Sequence, residues 1–219
     1  MQKFNLLILS AIFLLLTGCV ATQPIDYSAY KQSNPKSILV LPPLNNTNNI
    51  DATYGVLSTL TAPIAEAGYY VFPVAVVDKT FKENGLQNAG EMHQLPLDKL
   101  QKIFGADSVL YITVEQYGSI YQIIQSNVVV TVKANLVDAR TGVSLWKGES
   151  TASSAEQNNN NGGGLVGILV MAVVNQMINS IGDSGYPIAR IASNRLLSPH
   201  SGRGLLYGPR SPLYGKEIK

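Results

Sequence analysis

Ser37-Ile38-Leu39-Val40-Leu41 is a short apolar run with a β-branched bias, and Pro42-Pro43 ends it. Runs of this kind are usually strands that a sheet buries on both faces. After an Asn- and Thr-rich loop, the residues from Tyr54 to Ala67 have helical spacing, and a glycine follows them. Tyr69 to Pro73 then favours a second strand. This segment therefore predicts a βαβ unit with parallel strands and a right-handed crossover.

The chain continues with the alternation of helices and strands that an α/β domain requires. Val76 to Glu83 predicts a short helix, and Pro96 begins another that ends before Gly105. Ser108 to Val114 is a strongly apolar strand. Pro63 lies inside the first helix and should kink or split it, because proline lacks the N–H that a helix interior uses.

The next segments change to a two-residue alternation of apolar and polar residues, which indicates strands with one buried face. Tyr117 to Gln125 and Ser126 to Asp138 carry this pattern. After a turn that begins at Asp138, Val143 to Ser150 returns as a third strand, and Asp138 is interpreted as a turn-forming side chain. One face of the middle strand collects Val128, Val130, Val132, Ala134 and Leu136. The fold class is therefore mixed α/β: a βαβ start, then a mixed sheet with an antiparallel meander.

Two apolar helices are predicted towards the C-terminus. They follow residues 157–164, which are rich in Asn and Gly and predict a flexible hinge. Leu165 to Ile181 is apolar on nearly all sides, which favours a helix buried in the domain or in an oligomer interface. Contact of this helix with the bilayer or a membrane partner is the alternative. Tyr186 to Leu197 predicts the last helix.

The N-terminus has the organisation of a secretory signal. Lys3 precedes an apolar run from Leu6 to Leu16, which is too short to span a bilayer, since a spanning helix needs roughly 20 residues. Leu16-Thr17-Gly18-Cys19 then resembles the bacterial lipobox, whose cysteine carries the lipid after cleavage. The resemblance implies a signal peptide over residues 1–18 and palmitate-type lipidation of Cys19. An ordinary cleaved signal that leaves a free thiol is the alternative.

The mature chain is predicted to have three parts: a lipidated tether at 19–36, a single α/β domain at 37–197, and an extended tail at 198–219. Val20 rather than Asp follows the cysteine, which by the sorting pattern of enteric bacteria favours the outer membrane. The domain would then lie in the periplasm, with the cell surface as the alternative. The tail either wraps its own domain or docks a partner. Four residues of a small repeat are the docking candidates: Leu206, Tyr207, Leu213 and Tyr214.

Composition excludes several classes of function. The formal net charge is only +2, without a clustered basic stretch, so nucleic acid is not an expected partner. With the single cysteine acylated, no thiol remains for a disulfide, a metal or nucleophilic chemistry. His93 and His200 are too few for a metal site, and we expect no cofactor. One polar group is interpreted as a satisfied surface cluster: Glu83, Glu91, His93 and Asp98.

Four features together resemble one family of bacterial lipoproteins, which includes a meningococcal surface-antigen candidate. They are the lipobox, Ile38-Leu39-Val40-Leu41-Pro42-Pro43 with its Asn/Thr loop, Gly105-Ala106-Asp107 before a strand, and Leu205-Leu206-Tyr207-Gly208-Pro209-Arg210. The first strand and Gly-Ala-Asp also resemble the curli-secretion lipoprotein and the amino-terminal domain of the Tol-Pal β-propeller protein. The resemblance implies an α/β domain on the outer membrane, often beside a curli-secretion-like lipoprotein. It implies no established activity and carries no catalytic residue.

These observations favour a non-catalytic, lipid-anchored envelope lipoprotein that assembles with itself or with other envelope lipoproteins, in transport or secretion. An enzyme is not expected, because the sequence has no nucleophile and base in a known spacing. The alternative is a periplasmic lipoprotein that binds a ligand or peptidoglycan. Ligands in α/β sheets favour the C-terminal ends of parallel strands, here near Asn45, Asn46 and Asn48.

Overall fold

The computed structural model describes residues 24–121, 126–158 and 183–216. Within these ranges there are six strands: β1 Ser37–Val40, β2 Leu44–Asn45, β3 Tyr70–Val71, β4 Ser108–Tyr121, β5 Ser126–Asp138 and β6 Ser144–Ser153. They contain seven helices: α1 Ser28–Ser33, α2 Ala52–Glu66, α3 Val74–Glu83, α4 Ala89–His93, α5 Leu97–Phe104, α6 Ser154–Asn158 and α7 Gly185–Leu197. A short 3₁₀ turn, Pro199–Ser201, follows α7.

The strands form one open, mixed sheet in the order β3-β1-β4-β5-β6, and β2 pairs with β4 further along that strand. β3, β1 and β4 are parallel, whereas β4, β5 and β6 form an antiparallel meander. The predicted mixed α/β class and its βαβ start are therefore confirmed. The predicted strand at Ser108 to Val114 and the one that begins at Tyr117 are a single strand, β4, which continues through a register shift between Val114 and Gln116 and reaches Tyr121.

Helices cover both faces of the parallel half of the sheet, and on one face α7 extends this cover over β5 and β6. α2 and α7 pack on one face, over buried residues that include Val40, Ile112 and Val132. A second core on the other face joins β1 and β4 to residues of α3, α4 and α5, among them Leu39 and Phe81. The predicted apolar face of β5 is confirmed: Val130, Val132, Ala134 and Leu136 are buried, and Val128 packs against them.

α2 is a single helix, so Pro63 does not split it. Pro63 lies in the last turn, where its own carbonyl still accepts a hydrogen bond from the Ala67 N–H (3.0 Å). The missing proline N–H therefore removes only one bond near the end of the helix. Gly68 follows with a φ of +97°, a conformation that favours glycine.

The predicted tether and tail both contribute to the packed structure. α1 lies in the predicted tether, and its Tyr30 is only 2% exposed. Leu205 in the tail is fully buried, and the Gly208 N–H donates to the Ala67 carbonyl (2.7 Å). The tail therefore wraps its own domain, and the described part of the predicted tether packs against the domain as well.

Several predicted features lie outside the described residues. They are the signal peptide, Cys19, most of the 157–164 hinge and the apolar helix at 165–181. Across the three described ranges, no helix has both the length and the apolar character needed to cross a bilayer.

Candidate functional site

Two surface clefts flank the N-terminal segment, residues 25–33. The first, which we call the tyrosine cleft, has a volume of about 570 Å³ and lies between α1 and the tail. Its aromatic lining comes from five tyrosines that are far apart in the sequence: Tyr27, Tyr30, Tyr69, Tyr207 and Tyr214. Lys31 and Lys216 also line this cleft. The cleft therefore offers aromatic surface with positive charge at its border.

The hydroxyl groups of these tyrosines are used within the protein. Tyr30 donates to the Tyr69 hydroxyl (2.9 Å), and Tyr69 donates to the Leu206 carbonyl (2.8 Å). Tyr27 donates to the Gly204 carbonyl (2.6 Å). Burial raises the pKa of Tyr30 and of Tyr69, which keeps both phenols protonated. These hydroxyls therefore hold the cleft together. Tyr30 and Tyr69 are buried, whereas the rings of Tyr27, Tyr207 and Tyr214 are accessible at the surface of the cleft.

The structure brings three of the four predicted docking residues to this cleft. Leu206 and Tyr207 are half-buried in its wall, and Tyr214 is 45% exposed at its border. The Tyr214 hydroxyl donates to Asn34 Oδ1 (2.7 Å), which joins the tail to the end of α1. Leu213 is half-buried next to Tyr214. Sequence reasoning missed Tyr69, because only the fold brings it beside the tail.

The second cleft, which we call the basic groove, has a volume of about 630 Å³ and lies beside Ile25. Its charged lining comes from β5, β6, α7 and the tail: Lys133, Lys147, Glu149, Arg195 and Arg203. Lys133 pairs with Glu115 (3.3 Å), and Arg195 pairs with Glu156 (2.7 Å). Among the described residues, Lys147 and Arg203 have no ion-pair partner. No sequence pattern indicates this groove, because its cations come from separate elements.

The C-terminal ends of the parallel strands carry the predicted ligand loop. The Asn45 side chain accepts from the Thr47 N–H (2.8 Å) and donates to the Asn49 carbonyl (2.7 Å). Asn46 donates to Glu115 Oε2 (3.2 Å). These amides therefore shape the loop by bonding to its backbone and to Glu115 of β4, and nothing in their geometry favours a ligand.

The four residues of the predicted polar cluster have separate partners. Glu83 pairs with Lys79 and Asp98 with Lys102, while Glu91 accepts from the Gln87 N–H. His93 Nε2 donates to the Pro42 carbonyl (2.9 Å), and burial lowers the pKa of His93. In the described part of the chain, no group of three or more His, Cys, Asp or Glu residues could hold a metal ion.

Comparison with known proteins gives consistent relatives. The sequence profile of the family described as "Putative lipoprotein GNA1162-like" matches residues 25–210. "Putative lipoprotein NMB1124/NMB1162" of Neisseria meningitidis serogroup B is 51% identical over 202 residues, which is 91% of this chain and 93% of that protein.

Two solved structures are also similar. The crystal structure of lipoprotein GNA1162 from Neisseria meningitidis has 52% identity and a TM-score of 0.53, and the match covers 66% of this chain and 99% of that one. A PelC dodecamer from Paraburkholderia phytofirmans has 14% identity and a TM-score of 0.39, covering 62% and 79% of the two chains. That score is too low to say anything about how the present chain assembles.

Proposed function

This chain belongs to the family of GNA1162-like lipoproteins, and we propose that it is a non-catalytic, lipid-anchored subunit of an assembly at the outer membrane. Membership of a lipoprotein family associates the chain with the cell envelope. Cys19 would carry the anchor, since it is the only cysteine and follows the lipobox-like residues. Each buried CH₂ of an acyl chain contributes about 0.8 kcal/mol, so two or more chains make a stable anchor.

The tyrosine cleft is the observation that carries the assembly role. Tyrosine is enriched at protein interfaces because its rigid ring buries a large area at low entropic cost. Here the hydroxyls of Tyr27, Tyr30 and Tyr69 are already hydrogen-bonded inside the protein. A partner that covers the accessible rings of Tyr27, Tyr207 and Tyr214 would therefore leave those three hydroxyls satisfied. The partner would be a second copy of the chain or another envelope lipoprotein.

The docking role of the tail cannot be tested by deleting the tail. Leu205 is fully buried, and the Arg203 carbonyl accepts a hydrogen bond from the Trp146 indole (2.9 Å). A chain that ends at Leu197 would lose part of its core as well as the cleft. Point variants at the border of the cleft separate docking from folding.

Tyr214→Ala is the sharpest variant, and Tyr54→Ala is its matched control. Tyr214 is 45% exposed in the tyrosine cleft, and Tyr54 is 49% exposed at the start of α2. The full lipoprotein is purified from membranes in detergent after chemical cross-linking, and its partners are identified by mass spectrometry. We expect Tyr214→Ala to lose roughly thirty-fold in cross-linked partner, as for an interface hot spot of about 2 kcal/mol.

Tyr54→Ala should retain the cross-linked partner at the wild-type level. Equal retention by both variants would show that the cleft is not the docking site. If the wild-type chain is purified without any cross-linked partner, the proposed assembly role is wrong.

A further inference from the structure

The proposed anchor lies very close to the described domain. Only five residues separate Cys19 from Ile25, where the chain first packs against the domain. The six residues from Val20 to Ile25, which we call the leash, span at most about 20 Å if fully extended. A domain of this length has a radius of gyration of about 16 Å, so its diameter is roughly twice the reach of the leash. The surface around Ile25 is therefore the part of the domain that the anchor holds nearest to the bilayer.

That surface is the basic groove. Ile25 itself lines it, together with four cations and one carboxylate, Glu149. Lys147 and Arg203 are exposed, and within the described residues neither has an ion-pair partner. The segment that supplies Arg195 and Arg203 is strongly biased in charge: residues 184–216 contain five Arg or Lys residues and no Asp or Glu.

Guanidinium and ammonium groups with free donors suit phosphate oxygens, and arginine can bind them through two parallel hydrogen bonds. Anionic phospholipid headgroups supply such oxygens at the surface that the leash reaches. Each Lys or Arg near an anionic membrane contributes about 1 kcal/mol, which is about five-fold in the ratio of docked to undocked protein. The short leash also keeps the groove at a high effective concentration of headgroups.

We propose that the basic groove docks on the membrane that holds the anchor, with Lys147 and Arg203 contacting the phosphates of anionic phospholipids. This inference rests on the proposed anchor at Cys19 and adds the orientation of the domain. The tyrosine cleft begins at Tyr27, two residues further along the chain. Docking through the basic groove therefore holds the tyrosine cleft close to the bilayer.

The lone tryptophan is a natural reporter of this contact. The Trp146 indole donates to the Arg203 carbonyl (2.9 Å), so the ring lies directly beneath the groove. The full lipidated chain is reconstituted into phosphatidylcholine vesicles that carry a dansyl-labelled headgroup lipid, with or without phosphatidylglycerol. We expect more energy transfer from Trp146 when phosphatidylglycerol is present. The gain should fall at high salt, because salt screens charges at the surface.

Lys147→Ala with Arg203→Ala should lower the docked-to-undocked ratio roughly thirty-fold, since each cation accounts for about five-fold. Arg203→Ala keeps the backbone carbonyl that Trp146 uses. Lys79→Ala with Lys99→Ala is the matched control, because these exposed lysines lie on α3 and α5 and do not line the basic groove. The control should leave the transfer unchanged.

The docking proposal is wrong if energy transfer is the same with and without phosphatidylglycerol, or if it falls equally in both double variants. The anchor is checked separately, by labelled palmitate and by flotation with vesicles, with Cys19→Ala as the negative control. A chain that floats without charge-dependent transfer refutes only the groove. A chain that incorporates no palmitate and does not float refutes the anchor and, with it, this proposal.

Discussion

Val130, Val132 and Ala134 on β5 are buried at every second position, whereas Tyr30 and Leu205 are buried in segments that lack the apolar period of a strand or a helix. We call these the wrapping segments, residues 25–36 and 198–216. Strand backbones are satisfied by a continuous ladder of hydrogen bonds with their neighbours. The wrapping segments depend on a few individual bonds and two buried anchors. A repeating pattern therefore marks where the sheet forms, but it does not mark every part of the chain that the fold needs.

The largest loss of stability is expected for a chain that ends at Leu197, and this variant is the strongest test of the comparison. It removes the buried Leu205, which contributes about 2–5 kcal/mol. It also leaves the Trp146 indole and the Ala67 carbonyl without partners, at about 1–3 kcal/mol each. The sum, about 4–11 kcal/mol, is comparable to the whole stability of a typical domain. We expect loss of cooperative unfolding, measured by circular dichroism during heating.

A chain that ends at Lys216 keeps every described tail residue and should melt like the wild type. If the chain that ends at Leu197 melts cooperatively near the wild-type temperature, the wrapping segments are accessory and the comparison fails.

Tyr30→Ala tests the N-terminal wrapping segment. Tyr30 is 2% exposed and its hydroxyl donates to Tyr69, so we expect a loss of about 3–5 kcal/mol in the free energy of unfolding. Tyr214→Ala, at an exposed position, should cost no more than about 1 kcal/mol. Urea denaturation of both variants measures the difference. Similar values would mean that α1 is only loosely attached.

Gly68→Ala sharpens the comparison at the contact between α2 and the tail. Gly68 has a φ of +97°, and an added Cβ would lie 2.5 Å from the Ser211 backbone nitrogen. Gly85→Ala is the control, because Gly85 has a φ of +88° with nothing within 4 Å of the added Cβ. The control should cost only the backbone strain, about 1–2 kcal/mol.

Gly68→Ala should cost about 1–3 kcal/mol more than Gly85→Ala, since the tail must also move. Thermal melts of the two variants provide the measurement. Equal shifts in melting temperature would show that the tail does not press on Gly68 in solution.

Local patterns were enough to predict most of the sheet. The alternation in β5 sets its buried face, and the Asp138 turn forms as the residues indicate. Its carboxylate accepts from the Arg140 and Thr141 N–H groups (2.9 Å each). Although burial alone would raise the pKa of Asp138, these bonds and one from Ser33 lower it. The bonds within the turn could be predicted, but the bond from Ser33 could not, because it comes from 105 residues away.

Short elements without a periodic apolar pattern were not predicted from the sequence. β2 has two residues and α4 has five, too few for a period of 2 or 3.6 to emerge. Tyr27 and Tyr30 stand in a polar segment without an apolar period, so the sequence offers no pattern that assigns them to the core. Three of the four docking candidates did meet in one cleft, because they share a short stretch of the tail.

The sequence by itself determined the strands, the main helices and the lipoprotein-like N-terminus, because each depends on residues close together in the chain. Only the tertiary structure decided the two clefts. Tyr27 meets Gly204 across 177 residues, and Tyr214 meets Asn34 across 180. Lys147 and Arg203 reach one groove from β6 and the tail. Such contacts depend on the order of the strands and on how the two ends of the chain pack over the sheet. A local sequence period predicts neither of these.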